Sequence, residues 1–245
     1  MTTNPESPGD RQQPLIEHLL ELRTRLLRAT LAVIALFLGL LYFSNDIYHF
    51  ASVPLLHALP KGSTMIATGV ASTFLAPIKL VAVLALFLAM PYILFEAWRF
   101  IAPGLFANEK RIALPVLIAS VVLFYAGIAF AYYVVFPVMF TFFTMTAPEG
   151  VNYTPDIAQF LDTILTMFLA FGFAFEIPVF TFLLIYSGVV SIEAVREKRP
   201  YVIVVCFTIA MFLTPPDPLS QIFMALPMCL LFEIGVFFGG WIKRL

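Results

Sequence analysis

Charged residues are scarce in this chain, so each one inside an apolar stretch carries meaning. Glu176, in AFGFAFEIPVF, lies well inside such a stretch. An ionisable group there is costly to bury and is a functional candidate by default. Pro178, two residues on, removes a backbone donor and frees a carbonyl nearby. Three chemistries fit Glu176. It can carry a proton, present a polar spot on a concave face that meets a partner helix, or satisfy a neighbouring hydrogen bond. Glu233, in LLFEIGVFFGG, is nearer the end of its stretch and reads as a carboxylate reaching back to the membrane interface. Glu17, Glu21 and Arg25 follow one another at i,i+4 spacing, which suits helix-stabilising ion pairs worth roughly a few tenths of a kcal/mol.

Motifs for bond-making chemistry are missing. The sequence has no H-E-x-x-H, no G-x-S-x-G and no pair of catalytic carboxylates on one apolar segment. It has no G-x-x-x-x-G-K-[ST] loop for a nucleotide. His18, His49 and His57 are scattered without metal-ligand spacing. Cys206 and Cys229 lie in apolar stretches and read as small core residues. No catalytic activity, cofactor or metal is expected, and work done by the chain draws on a gradient or a partner.

The elements that hold these residues are apolar helices. The chain is 61% hydrophobic and 12% charged, with mean hydropathy +0.96. A soluble domain carries about 25% charged residues. Apolar stretches run over about 25–44, 75–97, 113–136, 158–187, 200–213 and 219–237. Of the 14 Lys and Arg residues, all but Lys61 and Lys79 fall on one side of that six-span reading. Basic loops stay in the cytoplasm, so both termini are predicted inside. The expected fold is an all-α membrane protein with six transmembrane helices, both termini cytoplasmic and the fifth and sixth helices short. Residues 1–13 read as a disordered cytoplasmic tail, 14–240 as a single six-span domain and 241–245 as a cytoplasmic tail. No basic patch is large enough to suggest nucleic acid.

Several local features refine that picture. PLIEHLLELRTRLLR at 14–28 predicts an amphipathic helix lying at the inner surface before the first span. Segment 45–73 reads as an ordered external cap with a short helix, and Lys79 as a cation snorkelling outward. Residues 112–148 carry no charge, which exceeds the ~20 residues one span needs. Pro137 and the aromatics around it place the helix's exit from the bilayer there. The fifth span is bounded by Arg199-Pro200 and by Thr214-Pro215-Pro216-Asp217-Pro218. Its length, about 21 Å, falls short of a core of about 30 Å, so the segment forms a shallow hairpin or sits in a thinned bilayer. Gly235 and Gly239 form a short G-x-x-x-G spacing for close helix packing.

Five strings carry a resemblance. They are HLLELRTRLLR at 18–28, FIAPGLFANEKR at 100–111, FGFAFEIPVF at 171–180, KRPYV at 198–202 and FLTPPDPLSQ at 212–221. Together, and in order, they resemble the TatC family of the twin-arginine protein translocase, over about residues 14–240. The resemblance implies a signal-peptide receptor in the bacterial inner membrane that exports folded proteins using the proton-motive force. Implied partners are the single-span TatB and TatA subunits, twin-arginine signal peptides, the lipid bilayer and further copies of the chain. The family's signal-binding carboxylates map onto Glu21 and Glu109, and Arg23 falls in the same amino-terminal string. Phe100, Pro103 and Leu105 lie in the matching loop, at the entrance to a groove for the apolar part of the signal. Glu176 matches the family's membrane-embedded glutamate. Asp217 and Gln221 match the turn and helix where a partner helix makes contact. A carboxylate accepts a guanidinium fork in two parallel hydrogen bonds, which an ammonium cannot reproduce. The rival readings are a six-span proton-coupled small-solute transporter, with Glu176 as its ion site, and a scaffold for other membrane subunits.

Overall fold

The computed structural model describes residues 12–49, 66–69, 71–105, 110–146, 156–214 and 218–242. Helices dominate these residues. α1 spans Gln12–Leu41, α2 Ser72–Leu105 and α3 Lys110–Phe130. A π-helical turn, Ala131–Val135, joins α3 to α4, Phe136–Thr146. α5 (Ile157–Ala174) and α6 (Ile177–Tyr186) follow, then a short α7 (Ile192–Glu197), α8 (Arg199–Leu213) and α9 (Pro218–Ile242). Among the described residues the only β feature is an isolated bridge between Ile66 and Asp156.

Five segments are long and apolar enough to cross a membrane: Ile16–Leu41, Ser72–Phe100, Ala113–Met139, Ile157–Tyr186 and Ser220–Trp241. Arg199–Leu213 is a sixth, shorter apolar helix. The surface is apolar as well as the core. Along α3 the residues Leu114, Ile118 and Val122 are 63%, 55% and 60% exposed at a spacing of four. A helix apolar on its outward face needs lipid as its solvent. The chain is thus a multi-pass, all-helical membrane protein.

Two segments differ from the sequence expectation. α1 is one unbroken helix of 30 residues, and the amphipathic stretch is its first half. Nothing between Glu17 and Leu41 breaks the helical ladder, since the only glycine, Gly39, lies in the last turn and Pro14 in the first. α9 is not short: it runs 25 residues, from Pro218 at its start through Gly239 and Gly240. The fifth helix is short, at 15 residues or about 22 Å.

Other expectations take definite form. The uncharged stretch from 113 onward is one helical run bent through the π turn, two residues ahead of Pro137. Proline has no N–H for the ladder and crowds the preceding turn, and a π turn absorbs the mismatch. The fourth span is broken at Phe175–Glu176, where α5 ends and α6 begins with Pro178 near its start. Residues 44–49 are helical, and Ile47 and Tyr48 pack on Ala76, Leu80, Leu161 and Leu165.

Packing brings the helices very close at glycines. A Cβ on Gly127 would lie 2.3 Å from the Phe171 carbonyl oxygen, so α3 and α5 touch backbone to backbone. A Cβ on Gly235 would lie 2.8 Å from Pro178, and one on Gly239 2.9 Å from Ile185. The G-x-x-x-G spacing is therefore the seam between α9 and α6. The central core gathers Phe136, Met139, Phe160, Ile164, Phe171 and Met224 from α4, α5 and α9.

Three polar ties hold helix ends together. Lys79 Nζ donates to both carboxylate oxygens of Asp162, at 2.9 and 2.8 Å, joining α2 to α5. Arg199 donates to Glu233 at 2.5 Å, joining α8 to α9. Lys79 and Glu233 thus have partners within the chain rather than simply reaching for the interface. Asp156 caps α5 by accepting from the backbones of Ala158 and Gln159. Its other oxygen accepts from the Thr68 backbone at 2.8 Å and the Thr68 hydroxyl at 2.5 Å. These donors hold the Asp156 carboxyl down to a pKa of about 2.

Candidate functional site

α1 and α2 run antiparallel, so the start of α1 lies against the end of α2. His18 stacks on Phe100, with ring centroids 4.3 Å apart and an angle of 18° between planes. Two helical turns further along α1, Arg25 divides its guanidinium between two carboxylates. Its Nε donates to Glu21 Oε1 at 3.1 Å and its Nη2 bonds the same oxygen. Its Nη1 donates to Glu96 Oε2 at 3.3 Å. The hydroxyl of Tyr92 donates to the other oxygen of Glu96 at 3.1 Å.

Burial separates the two carboxylates. The side chain of Glu21 is 43% exposed, that of Arg25 13% and that of Glu96 4%. Glu21 is therefore the member of the cluster that water and a ligand can reach. Beside it an apolar cavity of about 170 Å³ is lined by Leu22, Arg25, Leu26, Ile93, Glu96 and Phe100, among others. Arg99 lies over the Phe95 ring, 5.5 Å from its centroid. An exposed carboxylate next to an apolar recess and two aromatic rings suits a cationic, partly apolar ligand.

A second polar group sits deeper. Trp98 Nε1 donates to Ser120 Oγ at 3.3 Å, and both residues are buried. Ser120 in turn interacts with the carboxylate of Glu176, at the break between α5 and α6. The Oε1 atom of Glu176 is buried and has no hydrogen-bond partner among the described residues. Pro178 has no N–H to offer the carbonyl of Ala174, which is why the helix breaks here. Near α9, Gln221 Nε2 donates to the Phe207 carbonyl at 3.0 Å, tying α9 to α8.

Comparison with known proteins decides the family. Residues 17–227 match the family profile described as Sec-independent protein translocase protein (TatC). The chain belongs to the TatC family. It is 59% identical to the TatC protein of Azotobacter chroococcum over 244 residues, covering 100% of this chain and 95% of the relative. It is 55% identical to TatC of Escherichia coli strain K12, covering 93% and 88% respectively. A crystal structure of a twin arginine translocase receptor, TatC, superposes with a TM-score of 0.84 at 32% identity, covering 93% of this chain and all of that one. The chain is thus a Sec-independent protein translocase component, a transport family, and the small-solute transporter alternative is set aside.

Within this TatC chain the residues singled out in the sequence separate into groups. Phe100 lines the α1–α2 cavity together with Arg25, which Glu21 holds from the exposed side. Arg23 is exposed, and two residues from Glu21 is about 200° around a helix, so it points away from that cleft. Pro103 and Leu105 continue α2 past Phe100. Glu109 and Asp217 lie outside the described residues. Glu176 and Gln221 belong to the deeper α5–α6 and α8–α9 regions. Glu96 went unnoticed in the sequence because ILFEAWRF reads as the polar fringe of a span. The available signal was a carboxylate four residues after Tyr92, within one helical turn of the span's end.

Proposed function

We propose that this chain is the signal-peptide receptor and core membrane subunit of a twin-arginine translocase. It exports folded proteins across the bacterial inner membrane using the proton-motive force. Both termini face the cytoplasm, in line with the bias of Lys and Arg to one side of the spans. Single-span TatA and TatB subunits dock near Glu176 and Gln221, and several copies of the chain assemble together. Glu21, with Glu109, receives the paired arginines, and Phe100 with Pro103 and Leu105 guides the apolar part of the signal.

The observation that carries this reading is Glu21: a half-exposed carboxylate already holding the guanidinium of Arg25, which itself lines an apolar recess together with Leu22, Leu26 and Phe100. The site accepts this chemistry because it already contains it. The test is binding of a labelled twin-arginine peptide to membranes holding the native chain, with a twin-lysine peptide as control. Glu21→Ala is expected to weaken the twin-arginine peptide by about tenfold or more, since charge-assisted forked bonds are lost. Equal binding of the two peptides, indifferent to Glu21→Ala, would remove the receptor reading.

A further inference from the structure

We propose that Glu96 is a positioning residue for signal capture, holding Arg25 so that Glu21 can exchange an internal guanidinium for an incoming one. This rests on the reading of Glu21 as the arginine-binding carboxylate. In the structure Glu21 is occupied: Arg25 presents Nε and Nη2, the edge that a ligand arginine would present. An incoming guanidinium must displace it. How easily it does so depends on where Arg25 goes.

Glu96 supplies the place. It is on α2, 71 residues from Arg25 in sequence, and accepts Arg25 Nη1 while its other oxygen is fixed by Tyr92. A carboxylate only 4% exposed is strongly disfavoured without a cation, so Arg25 has reason to stay with it when Glu21 lets go. The cavity lined by Arg25 and Glu96 gives the guanidinium room to shift. The ion pairing points the same way. Two carboxylates share one guanidinium in direct contact; His18 and Arg99 act on Glu21 only from a distance, and among the described residues no other cation forms an ion pair with either carboxylate. One more arginine completes the set, with Arg25 on Glu96 and the ligand on Glu21.

The experiment measures twin-arginine peptide affinity for the full chain in membranes, with the twin-lysine peptide as control, for three variants. Glu96→Gln leaves Arg25 with Glu21 alone and is expected to weaken the peptide about tenfold. Adding Arg25→Gln to Glu96→Gln removes the competitor and should return affinity to the native value or better. A purely structural role for Glu96 would not be rescued in this way. Arg25→Lys cannot span both carboxylates with a point charge and settles on the buried one, so it should bind the peptide more tightly than the native chain. That variant keeps the test decisive if Glu96→Gln fails to fold. Native affinity in Glu96→Gln, no rescue in the double variant, or no gain in Arg25→Lys would each overturn the proposal while leaving the receptor reading in place. Failure of the native chain to prefer the twin-arginine peptide would overturn both.

Discussion

Two carboxylates are withdrawn from the surface of this molecule, and their surroundings differ. Glu96 lies near the end of α2, neutralised by Arg25 and bonded by Tyr92. Glu176 lies at the break between α5 and α6, near Ser120, and its Oε1 is buried with no hydrogen-bond partner among the described residues. A buried ion pair adds little net stability but fixes side chains in one arrangement, because separating it is costly. A buried acceptor without a donor is an open valence, waiting for a group from outside the chain or for a proton. The α1–α2 cleft is therefore pre-organised, while the α5–α6 break leaves a buried acceptor unpaired among the described residues.

The contrast can be broken most forcefully at Arg25. Arg25→Ala strands the Glu96 charge, and the cost is expected at about 3–5 kcal/mol, seen as a drop in thermal midpoint in detergent. A drop no larger than that of an exposed-pair variant would mean that Glu96 is not held by Arg25. Next in size is Trp98→Phe, which removes the donor to Ser120 and should cost about 1 kcal/mol by the same measurement. Glu176→Gln keeps the shape and removes the charge, so the midpoint should stay within about 0.5 kcal/mol of native or rise. Twin-arginine peptide binding should be unchanged in it, because Glu176 makes no hydrogen bond or ion pair to Glu21, Arg25 or Glu96 among the described residues. Export rates in that variant then sharpen the comparison: a stall with intact binding assigns Glu176 to a step after capture, whereas normal flux rules out a proton relay.

The smallest effect is at the Asp156 cap. Its carboxyl sits at about 2, below its ordinary 3.8, because it accepts from Thr68, Ala158 and Gln159. A depressed acid contributes stability that is complete above the unfolded value and lost as pH falls through the folded one. Protection of the Thr68 and Ala158 amides against hydrogen exchange, taken relative to their intrinsic rates, should fall between about pH 4 and pH 2 in the native chain. In Asp156→Asn the same amides should exchange faster at neutral pH and lose that dependence.

Much of the architecture was legible because it follows from chain-local rules. Apolar runs long enough to span, the short fifth helix and the disturbance at Pro178 all depend on neighbours in sequence. The Gly235–Gly239 spacing also foretold a close seam, though not its partner. What was hidden depends on distance. Glu96 gains meaning only from Arg25, 71 residues away, and Gly127 only from Phe171 on another helix. The unbroken α1 was missed for a different reason. A change from amphipathic to apolar character marks a change of surroundings, and with only Pro14 and Gly39, near its two ends, as breakers the backbone continues through it.

The seam between α6 and α9 has a mechanical consequence. Gly235 lies against the Pro178 backbone and the Thr181 side chain, and Gly239 against the Ile185 side chain, so the two helices interlock too closely to slide past each other without collision. Any hinge motion at Phe175–Glu176 must therefore carry α9 along with α6. Through the Arg199–Glu233 tie it also pulls on the start of α8. A ligand that engages Glu176 thus grips the short end of a lever whose long arm is the carboxyl-terminal third of the chain.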